Sequence, residues 1–179
     1  MIFEAFPKMA RLSREIIITE KLDGTNAQIC IDAQGNVLAG SRTRWIAPHD
    51  DNFGFAKWAL ENKDELMQLG EGRHFGEWWG AGIQRKYGMT EKKFSLFNVT
   101  RWADERPDCC DIVPTLYKGV FCQNAIDLAL IGLKEHGSIA APGFMNPEGI
   151  IIYHCAAGIG FKKTLEKDDE PKSAYQRAG

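Results

Sequence analysis

The pattern of apolar and polar residues predicts several short strands in the first part of the chain. Residues 15–20 (EIIITE) are rich in β-branched side chains, which favours a strand. Residues 26–32 (NAQICID) alternate between apolar and polar positions, as a half-buried strand does. A turn at residues 34–36 (QGN) would return residues 37–41 (VLAGS) as the hairpin partner. The pattern therefore favours strands that are joined by hairpins.

Helices and further strands are predicted beyond residue 50. Asp51 or Asn52 can cap a helix that runs to about Leu69, and a second helix is expected over residues 124–136. Further strands are predicted at residues 73–79, 94–99, 113–117, 150–155 and 160–165, with a charged loop at 104–112. This order lacks the regular strand–helix alternation of a parallel doubly wound sheet and predicts an α+β fold.

Composition narrows the class of protein. The 179 residues suit one compact domain with its own hydrophobic core. The formal net charge of −2 argues weakly against a protein that coats nucleic acid, although a local basic face remains compatible with it. The N-terminus lacks the apolar segment of a signal peptide, and no stretch approaches the roughly 20 apolar residues of a membrane helix. We therefore expect a cytoplasmic protein without a membrane partner.

Common cofactor motifs are missing from the sequence. The five cysteines and four histidines show none of the paired spacings of a zinc site, so we expect no zinc. The Gly-rich, basic segment at residues 80–88 (GAGIQRKYG) matches neither the P-loop nor the dinucleotide-binding spacing. Nucleotide chemistry, if present, must use another arrangement.

The strongest chemical signal is the segment KLDGTN, which begins at Lys21 directly after the first predicted strand. A lysine attacks phosphorus only as the neutral amine, and burial or neighbouring cations lower its pKa and make that form available. Gly24 would let the backbone turn closely beneath a nucleotide, and Asp23 could orient the lysine or help to hold a metal. This K-x-D-G string alone fits an ordinary hairpin equally well.

Six later segments strengthen the interpretation because of their order. They are SRTR (41–44), FGEWWG (75–80), IQRKY (83–87), FSLFNV (94–99), PEGII (147–151) and GFKKTL (160–165). With KLDGTN, the chain resembles the covalent nucleotidyltransferase superfamily of DNA ligases, RNA ligases and mRNA capping enzymes. The resemblance is closest to ATP-dependent RNA ligases of the phage T4 second-type family. It implies an α+β nucleotidyltransferase (adenylation) domain of the ATP-grasp-like ligase type, with largely antiparallel sheets flanked by helices.

The resemblance also implies roles for individual residues. It makes Lys21 the nucleophile, with Asp23 and Lys162 as further catalytic residues. The implied ATP- and AMP-binding residues are Glu20 (adenine), Asn26 (phosphates), Arg42 (nucleotide or ligated end), Glu77 (ribose hydroxyls), Phe97 (stacking on adenine), Lys162 and Lys163 (phosphates). Glu148 is the implied ligand of Mg²⁺ or Mn²⁺. Many relatives have K-x-K where this chain has Lys162-Lys163-Thr164. Adjacent residues of a strand face opposite sides, so Lys162 is favoured and Lys163 is kept in reserve.

The implied reaction joins nucleic acid ends, RNA most readily, through a lysyl-AMP intermediate, and RNA repair is the expected setting. Arg44, Arg85, Lys86 and Arg101 are chosen by charge alone as contacts for the ends. Four alternatives remain. They are a DNA ligase, a GTP-dependent capping-type enzyme, a non-catalytic nucleotide- or RNA-binding relic, and an adenylyltransferase that modifies another acceptor. Residues 1–179 are expected to form one minimal nucleotidyltransferase domain without a C-terminal OB-fold or helical domain. The oligomeric state stays open.

Overall fold

The computed structural model describes residues 1–169, which form two β-sheets with helices packed against them. The strands are β1 (Glu15–Lys21), β2 (Thr25–Ile31), β3 (Val37–Ser41), β4 (Trp45–Ile46), β5 (Gly72–Gly80), β6 (Lys92–Leu96), β7 (Cys110–Ile112), β8 (Thr115–Val120), β9 (Gly149–His154) and β10 (Ile159–Thr164). The helices are α1 (Phe55–Glu61), α2 (Lys63–Leu66), α3 (Val99–Trp102) and α4 (Gln123–His136), and a 3-10 turn spans Met67–Leu69. The predicted α+β class is confirmed, and residues 170–179 of the predicted domain lie outside the described part.

The first sheet has the strand order β10-β9-β1-β8 and is antiparallel throughout. One face packs on α4, where Ile16 and Ile18 of β1 meet Ile126 and Leu133. Alternate residues of a strand point to opposite faces. Lys21 is three residues beyond Ile18 on β1 and therefore faces away from α4. Helix α4 therefore supports the sheet from behind and leaves the face of Lys21 for a site.

The second sheet has the strand order β4-β3-β2-β5-β6-β7 and is antiparallel except for the β6–β7 pair. Its inner face forms the largest core, in which Phe55 of α1 packs on Trp78 and Phe94 with ring centroids 5.4 and 5.0 Å apart. The opposite face carries Asn26 of β2 and Glu77 of β5, which are register partners. We call this opposite side of the second sheet the cleft face.

A small apolar cluster joins the two sheets beneath the turn between β1 and β2. It contains Leu22 from the turn, Trp79 from β5, Tyr87 and Val113. The indole Nε1 of Trp79 donates a 2.8 Å hydrogen bond to the hydroxyl of Ser95, so its buried polar atom is satisfied. The turn after Lys21 is thus anchored where the sheets meet.

The single helix predicted from Asp51 to Leu69 is wrong in its extent. Phe53 and Gly54 adopt positive φ angles of 53° and 83°, so the helix begins only at Phe55. Asp51 still accepts hydrogen bonds from the backbone amides of Ala56 and Lys57, at 2.7 and 3.0 Å. The helix is then divided at Asn62, whose φ of −106° and ψ of 19° are not helical.

The strand predicted at residues 94–99 is also wrong in its bounds. It ends at Leu96, and the side chain of Asn98 caps α3 by accepting a 3.1 Å hydrogen bond from the backbone amide of Arg101. The predicted loop at 104–112 contains β7, whose parallel pairing with β6 is long-range and leaves little local signal. No helix within residues 1–169 is long and apolar enough to cross a membrane.

Candidate functional site

Lys21 and Glu148 form an ion pair at the end of the first sheet. Lys21 is the last residue of β1 and lies opposite Gly149, the first residue of β9. The Nζ of Lys21 is 2.6 Å from Oε2 of Glu148, and Glu148 is only 3% exposed. Gly149 has a φ of 151°, and a Cβ there would lie 2.2 Å from the carbonyl oxygen of Lys163. Glycine is therefore required where the chain delivers Glu148 to the lysine.

Glu77 holds the turn that follows Lys21. Its Oε1 accepts a 3.0 Å hydrogen bond from the backbone amide of Gly24, and its Oε2 accepts a 2.9 Å bond from the side-chain amide of Asn26. A Cβ on Gly24 would lie 2.3 Å from the carbonyl oxygen of Trp78, so only glycine permits this approach of the turn to β5. Each carboxylate oxygen keeps a second acceptor position, with which Glu77 can still bind a hydroxyl group.

Burial changes the acidity of Glu77. It raises the pKa of this carboxyl group to about 7, although the charge of Lys21 and the hydrogen bonds from Gly24 and Asn26 act in the opposite direction. Glu77 therefore changes its charge close to neutral pH.

Arg85 connects the turn after Lys21 with the segment that carries Glu148. Its Nε donates a 3.0 Å hydrogen bond to Oδ2 of Asp23, and its Nη1 donates a 3.1 Å bond to the carbonyl oxygen of Asn146. The predicted contact of Arg85 with nucleic acid is therefore not its contact in this structure. Charge alone had indicated a free surface cation, whereas a carboxylate and a carbonyl group already bind the guanidinium.

The loop that presents Arg85 has an unusual backbone conformation. Gln84, Lys86 and Tyr87 have positive φ angles of 42°, 59° and 50°, which costs non-glycine residues about 1–3 kcal/mol each. Tyr87 offsets this cost because its ring packs on Trp79 and Phe144, with centroids 4.8 and 4.6 Å apart. Its hydroxyl also accepts a 2.7 Å hydrogen bond from the backbone amide of Asp23. The sequence indicated the segment IQRKY, but it did not reveal this bond to the turn after Lys21.

Glu20 lies on the α4 side of the first sheet, opposite to Lys21. Its carboxylate accepts hydrogen bonds from the Ser138 hydroxyl at 2.5 Å and from the backbone amides of Ile139 and Ala140 at 2.9 and 3.0 Å. The residue is 1% exposed. In this structure Glu20 thus holds the loop after α4, and its contact with adenine stays a prediction. Ser138 was missed because no local motif links it to Glu20.

The cleft face of the second sheet brings Asn26, Glu77 and Phe97 together. Glu77 is the register partner of Ser95, and Phe97 lies two residues beyond Ser95, where its backbone amide donates a 2.9 Å hydrogen bond to the carbonyl oxygen of Phe75. The side chains of Glu77 and Phe97 therefore share this face. Arg42 lies in the exposed turn between β3 and β4, directly after Ser41. The structure thus gathers three of the predicted nucleotide-binding residues on one surface, and the contact of Arg42 stays a prediction.

The strand register separates the two candidate lysines of β10. Lys162 is paired with Ile151, which is paired with Thr19, so Lys162 shares the face of Lys21. Lys163 is paired with Ile150 on the α4 side, and its Nζ lies 3.9 Å from a carboxylate oxygen of Asp168. The geometry agrees with the preference for Lys162, and its catalytic role stays a prediction.

Two further arginines that were chosen by charge are engaged elsewhere. Arg44 forms an ion pair with Asp50. Arg101 lies over the ring of Trp102, at 4.4 Å from its centroid, and donates a 3.0 Å hydrogen bond to the carbonyl oxygen of Leu69. Leu69 and Trp102 belong to the inner core, so Arg101 packs on the side of the second sheet opposite to the cleft face, and its contact with nucleic acid stays a prediction. Lys86, the fourth choice, is exposed.

The residues around Lys21 fit a divalent cation that arrives with phosphate groups. Within residues 1–169, no group of three or more His, Cys, Asp or Glu side chains is arranged to hold a metal ion. Mg²⁺ is commonly bound by one or two carboxylates together with substrate phosphates and water. Glu148, a buried carboxylate beside the lysine, supplies such a ligand.

Comparison with solved structures identifies the fold. The fold of this chain is similar to that of solved RNA ligases. A Naegleria gruberi RNA ligase mutant with ATP and Mn matches at a TM-score of 0.64 and 18% identity, over 94% of this chain and 52% of that chain. A mutant with AMP and Mn matches at 0.60 and 17%, over 94% and 52%. An apo mutant matches at 0.63 and 17%, over 93% and 52%.

The family follows from the sequence. A family model described as RNA ligase matches residues 14–165, and the chain therefore belongs to the RNA ligase family. No curated protein matches the chain significantly in sequence. The chain spans about half the length of the solved RNA ligases that it matches, 52% in each of these three cases.

Proposed function

We propose that the protein is an ATP-dependent RNA ligase that carries AMP covalently on Lys21. The observation that carries this proposal is the position of Lys21, whose amine lies 2.6 Å from the buried carboxylate of Glu148 where the two sheets meet. Membership of the RNA ligase family supports the reaction type. The Naegleria gruberi structures with ATP or AMP and Mn support ATP and a divalent metal, Mg²⁺ or Mn²⁺, as cofactors.

In the first step, Nζ of Lys21 attacks the α-phosphorus of ATP. A nitrogen–phosphorus bond forms, the bond from phosphorus to the bridging oxygen breaks, and pyrophosphate leaves with the electron pair. The ammonium group of Lys21 loses one proton before the attack and a second as the nitrogen–phosphorus bond forms, and both pass to solvent or to the leaving pyrophosphate. Glu148 would hold the divalent cation, which would neutralise phosphate charge and favour the neutral amine of Lys21. Lys162, on the same face, would stabilise the charge on the α-phosphate and pyrophosphate.

The cleft face would position the nucleotide during this step. Phe97 stacks on adenine, and Glu77 accepts hydrogen bonds from the ribose hydroxyls with its remaining acceptor positions. Asn26, the register partner of Glu77, and Arg42, in the turn after β3, bind the phosphates. Asp23 acts through Arg85 and positions the turn of the nucleophile.

The remaining steps use two nucleic acid ends. An oxygen of a 5′-phosphate attacks the phosphorus of lysyl-AMP, and the nitrogen–phosphorus bond breaks. A 3′-hydroxyl then attacks the activated 5′-phosphate, a phosphodiester forms and AMP leaves. The same proposal includes RNA as the acceptor, a function in RNA repair, a cytoplasmic location and one nucleotidyltransferase domain.

Covalent labelling tests the proposal directly. The protein is incubated with Mg²⁺ and ATP that is labelled at the α-phosphate, and the label that survives denaturation is measured. We expect labelled wild-type protein, no label on Lys21→Ala, and full label on Lys134→Ala, a control on the exposed side of α4. No label, or label that persists on Lys21→Ala, would overturn the proposal. Label from GTP alone would identify a capping-type enzyme.

A second assay determines the acceptor. Adenylated protein is mixed with nicked RNA, nicked DNA or single-stranded RNA that carries a 5′-phosphate and a 3′-hydroxyl. We expect AMP transfer and sealing with RNA. Transfer of AMP to DNA alone would identify the protein as a DNA ligase instead of an RNA ligase. Labelled protein that transfers AMP to neither acceptor would indicate another target.

A further inference from the structure

The cleft face continues past Glu77 into an exposed aromatic surface. Phe75 precedes Glu77 by two residues on β5 and is 51% exposed, and Trp45 on the edge strand β4 is 46% exposed. The registers place both residues in one row, by which we mean a line of paired residues that crosses the strands. In this row Phe75 is paired with Gln28, Gln28 with Gly40 and Gly40 with Trp45. We call Gln28, Leu38, Trp45, Arg73 and Phe75 the aromatic surface. It adjoins the proposed nucleotide site on the same sheet.

Arg73 is fixed within this surface. Its guanidinium carbon lies 5.3 Å from the centroid of the Trp45 ring, and its Nη1 donates a hydrogen bond to Oε1 of Gln28 at 3.4 Å. A Cβ on Gly40 would lie 2.8 Å from Cγ of Gln28, so the missing side chain at Gly40 gives Gln28 its space. A planar cation and a ring are therefore held beside each other on strands rather than on loops.

The composition of the surface favours one class of ligand. Bases stack on aromatic rings and on arginine guanidinium planes, and arginine also binds phosphate. The registers place Arg73, Cys30 and Leu38 in one row and Phe75, Gln28, Gly40 and Trp45 in the next, and neither row has an acidic side chain. With strands about 4.8 Å apart, Phe75 and Trp45 are separated by about 14 Å, which is room for successive bases.

We propose that the aromatic surface binds unpaired bases of a single-stranded polynucleotide next to the end that is joined. This inference rests on the proposed function, because the strand reaches the surface by continuing from the nucleotide site. Bases in a duplex cover one another's faces, so stacking on Phe75 and Trp45 requires unpaired bases. The surface therefore selects a single-stranded substrate, whereas the adenylation of Lys21 does not involve it.

Tryptophan fluorescence and variants test this surface. Trp45 is far more exposed than Trp78, Trp79 and Trp102, which are buried. Trp58 is half-buried against the inner core of the second sheet, so a stacked base on the cleft side should quench mainly the emission of Trp45. A 5′-phosphorylated single-stranded RNA oligonucleotide is titrated into the wild type and the variants. We expect Trp45→Ala and Phe75→Ala each to weaken binding about tenfold, as for the loss of one stacked base. Trp45→Phe should keep most of the affinity and lose the quenching.

The control variant is Phe161→Ala. Phe161 is 57% exposed, but it lies on β10 with Ile152 as register partner and thus faces the α4 side of the other sheet. We expect Phe161→Ala to bind like the wild type. Labelling of Lys21 by ATP should be unchanged in all of these variants, which separates the surface from the chemistry.

The outcomes distinguish the two proposals. Absence of Lys21 label in the wild type defeats the proposed function. Three results with normal labelling of Lys21 would overturn only the proposal for the aromatic surface. They are no binding of single-stranded RNA, equally tight binding of duplex RNA, and an affinity that does not change in Trp45→Ala and Phe75→Ala. Single-stranded DNA that binds as tightly as RNA supports stacking as the main contact, and weaker DNA binding supports stacking together with contacts to the 2′-hydroxyl.

Discussion

The guanidinium of Arg85 lies between the carboxylate of Asp23, at 3.0 Å from Nε to Oδ2, and the carbonyl group of Asn146, at 3.1 Å from Nη1. Asp23 follows Lys21 by two residues, and Asn146 precedes Glu148 by two. One side chain therefore fixes the relative positions of the proposed nucleophile and of the proposed metal ligand.

Removal of Arg85 should slow the adenylation of Lys21. Small displacements of a reacting group cost up to about 100-fold in rate, so we expect Arg85→Ala to lower the rate of Lys21 labelling by about 10- to 100-fold. Arg85→Lys should restore little, because a lysine cannot bind Asp23 and Asn146 in the same fork geometry. The neighbouring Lys86→Ala serves as the control. A normal labelling rate with impaired AMP transfer to RNA would instead make Arg85 a contact for the acceptor.

The two lysines of β10 should differ strongly in their effects. Lys162 shares the face of Lys21, whereas Lys163 lies on the α4 side near Asp168. We expect Lys162→Ala to lower the labelling rate by about 100-fold, a usual loss for one group that stabilises charge in a transition state. Lys163→Ala should stay within about threefold of the wild type. Comparable losses in both variants would contradict the assignment by register.

The raised pKa of Glu77 predicts a pH-dependent stability. The carboxyl group titrates at about 7 in the folded protein, against an ordinary value of 4.5. Between these values the folded state retains a proton that the unfolded state has lost, so this group lowers the free energy of unfolding as pH rises from 4.5 to 7. The shift corresponds to at most about 3 kcal/mol.

Glu77→Gln isolates this contribution because glutamine does not titrate. Urea unfolding of both proteins at pH 5 and pH 8 gives two differences in stability, wild type minus variant. We expect the difference to fall by about 1–3 kcal/mol from the lower to the higher pH, within the limit set by the pKa shift. A difference that stays constant or rises with pH would show that Glu77 is not protonated in the folded protein near pH 5–7.

Glu20 should affect stability through the loop after α4. Its carboxylate accepts hydrogen bonds from Ser138, Ile139 and Ala140 while fully buried. Glu20→Gln places an amide donor against these donors and should lower the free energy of unfolding by about 2 kcal/mol, measured by urea titration. Ser138→Ala removes only the hydroxyl donor, so we expect a smaller loss. A Glu20→Gln protein of normal stability that has a raised KM for ATP would support the predicted contact with adenine.

Local patterns predicted the strands well where burial alternates along the chain. Residues 26–31 of β2 alternate in burial as in polarity, and the β-branched run of β1 is a strand. The helix after Asp51 was predicted too long because propensity does not reveal the left-handed conformation at Phe53. Strand β7 was missed because its partner β6 lies more than ten residues away in sequence and the pairing is parallel.

The sequence indicated several of the residues that lie near Lys21, but it did not reveal most of their contacts. Motif order placed Lys21, Glu77 and Glu148 in one site, and the period of two in strands separated Lys162 from Lys163. The bonds of Arg85 to Asp23 and of Ser138 to Glu20 join segments 62 and 118 residues apart. Such partners depend on how the sheets meet, and no local pattern in a single sequence contains that information.

The sheet order also governs when the candidate site can form during synthesis. Strand β1 emerges early, but its neighbours β8 and β9 begin at Thr115 and Gly149. The isoleucines of β1 have no strand to pair with until β8 and β9 have been synthesised. Glu148, which directly precedes β9, is also synthesised late. A ribosome-bound chain that ends before β9 holds Lys21 without the carboxylate that faces it. The proposed transfer of AMP to Lys21 thus requires a chain that has been translated past β9 and has folded.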